Sequence, residues 1–133
     1  MAEGTYNPMP VRSGSFVIPG GVSVLGGFTG NEIKATDRNY SQNKTILSGD
    51  IGVKGDAKDN SFHVVVALDG SVLDGFMVED GNATENYSDD RGLGSGLWAE
   101  GSSFEIRNCQ FTNNWAFQGG SAAWLNKANG TFI

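Results

Sequence analysis

The feature that most constrains this chain is a repeat of apolar positions, not of residues. Leu73, Phe76, Val78 and Ala83 recur thirty-three residues later as Ile106, Cys109, Phe111 and Ala116, while the polar residues between them vary freely. A stacked coil requires this pattern, because the same inward slots must be filled on successive turns and outward slots are unconstrained. The second copy opens on the alternating run Phe104 to Phe111 and continues through FTNNWAFQGGSAAW to Trp124. A second register has Leu97 preceding Ile106 by the same interval that separates Trp124 from Ile133, so an uninterrupted turn is expected to take 27 residues. That length holds three short strands and three corners, with strands about 4.8 Å apart from one turn to the next.

Breakers set the rest of the organisation. The 20 glycines and only 3 prolines among 133 residues suit many tight turns, and 38% hydrophobic residues suffice for a core. Short strands are predicted over 15–18, 22–25 and 45–48, and the strongest strand signal is Phe62 to Leu68, rich in β-branched residues. Further strands are expected at 72–73, 76–78, 97–99, 122–125 and 130–133, about nine in all. Residues 29–44 and 49–60 read as polar loops, and 84–93 as an insertion relative to the second copy. No window holds helical periodicity against the Gly breaks. A sandwich of short strands would share these turn signals, but it has no reason to repeat inward slots at a fixed period. The expectation is an all-β chain, a right-handed parallel β-helix, forming one domain over 1–133. Its N-terminal coils would span 1–70 and its repeat-like coils 71–133. The ends, MAEGTY and an apparent strand Gly130 to Ile133, read as those of a segment of a longer protein.

Charge and cysteine usage narrow the function classes. A net charge of −6 with nine scattered Lys and Arg argues against nucleic acid, which needs clustered cations against its phosphates. The single cysteine, Cys109, rules out an intrachain disulfide and falls on an inward slot. No apolar run is long enough for a transmembrane helix. The single histidine, His63, reads as an outward residue and excludes a multi-histidine metal site within these residues.

Phe111-x-x-Asn114 followed by Gly119-Gly120-Ser121-Ala122 resembles the paired FxxN and GGA(I/L/V) motifs of polymorphic outer-membrane protein repeats. Upstream, GTYNP, VSVLGGF, TILSGDIG, FHVVVALDG and VLDGFMVEDGNA resemble, in order, the N-terminal coils of large bacterial right-handed β-helix proteins. Ser121 stands where the motif has Ala, and the first copy carries Gly81 where the second has Asn114. The resemblance implies a right-handed parallel β-helix in a secreted or surface-displayed bacterial protein, in an adhesin-like or structural role. In that fold Phe111 would fill the interior, Asn114 would satisfy backbone groups at a corner, and Gly119 and Gly120 would let the chain turn.

Polysaccharide lyases and glycoside hydrolases use the same fold, and residues suited to their chemistry are present. Arg107, outward on its strand with Asp74 in the matching slot one turn earlier, suits a lyase base beside a carboxylate, or else a cross-coil ion pair. Asp89 and Asp90, an adjacent acidic pair with Glu85 nearby, suit the two carboxyls of a hydrolase. Asp50, Asp56 and Asp59 offer oxygen ligands for calcium along one loop, without the spacing of an EF-hand. Trp98 and Trp124 are candidates for stacking on sugar rings. The expected partners are an extracellular or cell-surface polysaccharide or protein. Self-association through the open C-terminal coil is a further expectation, since unpaired strand edges template pairing.

Overall fold

Four passes of the chain follow one another, and each lays its strands beside those of the pass before. The first pass comprises β1 (Gly4–Tyr6), β2 (Phe16–Ile18) and β3 (Ser23–Leu25). The second comprises β4 (Thr45–Ser48), β5 (Val65–Ala67) and β6 (Ser71–Asp74). The third has β7 (Met77–Glu79), β8 (Asn82–Ala83), β9 (Leu97–Glu100) and β10 (Ser103–Arg107). The fourth has β11 (Gln110–Thr112), β12 (Trp115–Ala116), β13 (Ala123–Asn126) and β14 (Asn129–Phe132). This computed structural model describes residues 1–85 and 90–133.

Every pairing between these strands is parallel. Three four-stranded sheets result, in the orders β1-β4-β7-β11, β2-β5-β9-β13 and β3-β6-β10-β14, with β8 and β12 forming a two-stranded fourth. The protein is therefore all-β with parallel sheets. Its helical content among the described residues is three single 3₁₀ turns, at Ala35–Asp37, Ala57–Asp59 and Asp90–Gly92.

The register explains the apolar repeat. Leu73 lies opposite Ile106, Val78 opposite Phe111 and Ala83 opposite Ala116, the offset of 33 seen in the sequence. Inward columns run Tyr6–Leu47–Val78–Phe111 and Phe16–Val65–Leu97–Ala123 through all four passes. Their middle members, Leu47, Val78, Val65 and Leu97, are 0–1% exposed and join Leu73, Phe76, Phe104 and Ile106 in one core. Each fully buried aliphatic side chain contributes about 1.5–3 kcal/mol, so the middle passes carry most of the stability.

Two expectations about length need correction. The last pass advances by 26 residues, not 27: Leu97 faces Ala123, Trp98 faces Trp124, and Ile106 faces Phe132 rather than Ile133. The run Phe104 to Phe111 is also not one strand. It bends at Asn108, whose φ of 50° aligns with Gly75 (φ 85°) one pass earlier, and so it divides into β10 and β11. The same pairing of left-handed residues recurs at Asp80 with Asn113 and at Gly101 with Lys127. Corners are thus stacked in register, as strands are. Phe62 to Leu68 shrinks to the strand Val65–Ala67, because Phe62 and His63 lie on the approach to it.

Candidate functional site

The residues singled out by the sequence fall into three places. The first is a cleft of ≈ 430 Å³ on the outer side of the β3-β6-β10-β14 sheet, lined by Leu25, Thr36, Arg38, Tyr40, Asp74 and Arg107. Asp74 and Arg107 are opposite each other in the register, yet they make no ion pair. Asp74 is instead gripped by Arg38, at 2.7 Å, and receives a hydrogen bond from the Asn108 amide at 2.9 Å. Arg107 pairs with Glu105, two residues back on the same face of its own strand. The expected Asp74–Arg107 pair is displaced because the polar segment 29–44 folds back and delivers a closer guanidinium. Arg38 also donates to the carbonyls of Gly26 and Asp74, so it fastens that segment to two passes at once. Beside this cleft Cys109 lines a smaller one of ≈ 240 Å³, and burial pushes its thiol pKa up.

The second place is the loop before β5. Asp50 accepts from the Gly55 amide, Asp59 from the Val53 amide, and Asp56 from the Lys58 amide at the start of the 3₁₀ turn Ala57–Asp59. These carboxylates serve the backbone of their own loop, as Asx side chains do in turns. Among the described residues, no three His, Cys, Asp or Glu side chains converge as a metal-binding group.

The third place is a cleft of ≈ 310 Å³ on the outer face of the β2-β5-β9-β13 sheet. It is lined by Ser13, Val17, His63, Val66, Asp90 and Trp98. Asp90 and Trp98, reached by separate lines of argument from the sequence, come together here. Asp89 lies outside the described residues. The floor holds Val17, Val66 and Trp98, members of an outward column that Trp124 continues in the last pass, beyond the cleft lining. Trp98 and Trp124 are both half-buried, with Gly94 beside them. A Cβ at Gly94 would come within 2.9 Å of the Trp124 Cβ and 2.8 Å of the Leu97 carbonyl oxygen, and its φ is 60°. Gly120, with φ 68°, occupies the same place one pass later. Glycine is therefore what the close approach of the Trp98 and Trp124 Cβ atoms to this turn requires.

His63 is the residue that the sequence undervalued. Its ring lies 6.0 Å from that of Trp98, tilted by 37°. Its Nδ1 is 3.2 Å from the Gly94 carbonyl, which can only accept, so the neutral ring carries its proton on Nδ1 and leaves Nε2 as an acceptor. Burial pushes its pKa below the ordinary 6.5, against the opposing pull of the Gly94 carbonyl and Asp90. Only the alternation of Phe62 to Leu68 could have placed His63 on an outer face. Its meeting with Trp98 depends on the register between passes.

The motif residues lie on the last pass, on β11 and the two turns that follow it. Phe111 packs against the core. Asn114 accepts from the Gly81 amide at 2.9 Å and donates to the Val78 carbonyl at 2.9 Å, tying its corner to the preceding pass. Gly119 (φ 143°) and Gly120 turn the chain into β13.

No helix among the described residues is long and apolar enough to cross a membrane. No protein-family model, curated protein or solved structure matches this chain.

Proposed function

We propose that the chain is a right-handed parallel β-helix, a segment of a secreted or surface-displayed bacterial protein in which it acts as a non-catalytic, adhesin-like or structural scaffold. The observation that carries this reading is the in-register recurrence of inward slots through four passes of wholly parallel strands. Parallel connections within a sheet are right-handed in about 98% of cases, which supports the handedness. A stack of this kind is stiff along its axis and tolerates insertions at its corners, so it displays side loops such as 29–44 and 49–60. The FxxN and GG elements at Phe111–Asn114 and Gly119–Gly120 support the bacterial surface setting by resemblance. The partner expected for such a scaffold is an extracellular polysaccharide or protein.

The test is incubation with neutral and acidic polysaccharides, with and without calcium, followed by size-exclusion chromatography of the polymers. Unchanged polymer lengths under all conditions are expected. Shortened polymers would overturn the non-catalytic reading and put Asp74, Arg107 and Asp90 first for substitution. A crystal structure would read the handedness directly.

A further inference from the structure

The cleft over Trp98 combines three features that no packing requirement explains together. The outward column Val17–Val66–Trp98–Trp124 leaves a flat apolar strip on the sheet, with Val17 53% exposed at one end. Polar groups line one cleft with it: the exposed Ser13, the exposed Asp90 carboxylate, and the His63 ring with Nε2 as acceptor. Among the described residues, Asp90 is the one charged side chain lining that cleft, in a protein of net charge −6. Its neighbour Arg91 is held by Glu85 at 2.9 Å and lies against Phe62.

We infer that this cleft binds a neutral saccharide, with a pyranose ring laid on the indole of Trp98 and its hydroxyls donating to Asp90 and to His63 Nε2. The apolar face of a sugar ring suits an indole, and its hydroxyl edge suits acceptors that line the same cleft. An acidic sugar would meet the Asp90 carboxylate and the negative field of the whole protein, with no cation among the described residues that line the cleft to offset them. Trp124 follows Trp98 in the same outward column one pass on, about 4.8 Å away between strands. The inference goes beyond the scaffold reading and depends on neither its handedness nor its setting. It needs only the observed register of β5, β9 and β13.

The experiment is titration of the protein with cellohexaose, xylohexaose and mannohexaose, followed by tryptophan fluorescence, with hexagalacturonate as the charged comparison. At least one neutral hexasaccharide is expected to shift the emission saturably in the millimolar range or below, and hexagalacturonate is expected not to. Trp98→Ala should weaken binding about tenfold or more, the scale of one lost aromatic stack. Asp90→Asn, at an exposed position that leaves the core intact, should weaken it severalfold, while Trp115→Ala, away from the cleft, should leave it unchanged. No saturable shift with any neutral hexasaccharide overturns the inference. So does tighter binding of hexagalacturonate, or undiminished affinity in both Trp98→Ala and Asp90→Asn. Shortening of a bound saccharide would count against the scaffold reading alone, so the two fail separately.

Discussion

At single residues, conformation and environment make sharper demands than side-chain chemistry does. Gly94 sits at φ 60°, with the Leu97 carbonyl and the Trp124 side chain where its Cβ would be. Gly94→Ala combines left-handed strain with a clash against backbone, and is expected to cost about 2 kcal/mol or more in urea unfolding. His63 makes a prediction about pH. Its folded pKa lies below the 6.5 of a free imidazole because it is buried, so the unfolded chain takes up a proton that the folded chain refuses. The stability it contributes is therefore fully present above about 6.5 and is lost as pH falls through the folded value. Unfolding measured at pH 7.5 and 5.5 should show a larger acid loss in wild type than in His63→Gln. Equal losses would count against the burial argument.

Between elements, one arginine ties the segment 29–44 to two passes at once. The Arg38–Asp74 pair is nearly buried, with side chains 12% and 10% exposed. Removing Arg38 leaves the Asp74 carboxylate buried with Asn108 as its remaining hydrogen-bond donor among the described residues. Arg38→Ala is expected to cost about 3 kcal/mol, whereas Arg38→Met combined with Asp74→Leu should cost much less, since paired removal strands no charge. Urea titration of the two variants checks both. This clamp was not legible in the sequence: its partners are 36 residues apart, and one lies in a stretch without apolar periodicity. By contrast, the 33-residue offset was legible, because Leu73 with Ile106 and Val78 with Phe111 are apolar for the same reason, each pointing towards the core.

For the molecule as a whole, the last pass exposes positions that the pass before it buries. Leu125 and Phe132 are 38% and 49% exposed, while Ala99 and Ile106, their register partners, are 0% and 3% exposed. These residues lie on β13 and β14, each at the edge of its sheet, so apolar surface and unpaired backbone are offered together. The chain is accordingly expected to self-associate through this face, with sedimentation velocity showing a concentration-dependent rise in mass. Leu125→Lys with Phe132→Lys should shift it towards monomer. A monomer at all concentrations in wild type would sink this expectation.

The apolar and glycine pattern by itself determined the strand-rich class and the stacking of slots, because inward depth restricts residue type directly, whereas left-handed corners at Asp80, Asn108, Asn113 and Lys127 left no such mark. Parity in the last pass escaped it. Trp124 read one residue out of step with its true partner, since a half-buried indole satisfies an inward or an outward slot equally by composition. Only the backbone ladder decides which, and a slip of one residue moves every side chain to the other face. Tertiary structure likewise decided that Asp74 belongs to Arg38, that Asp50, Asp56 and Asp59 serve their own loop, and that His63, Asp90 and Trp98 share one cleft. Such meetings depend on where separate passes bring polar groups, and polar groups at the surface leave no periodic trace in a single sequence.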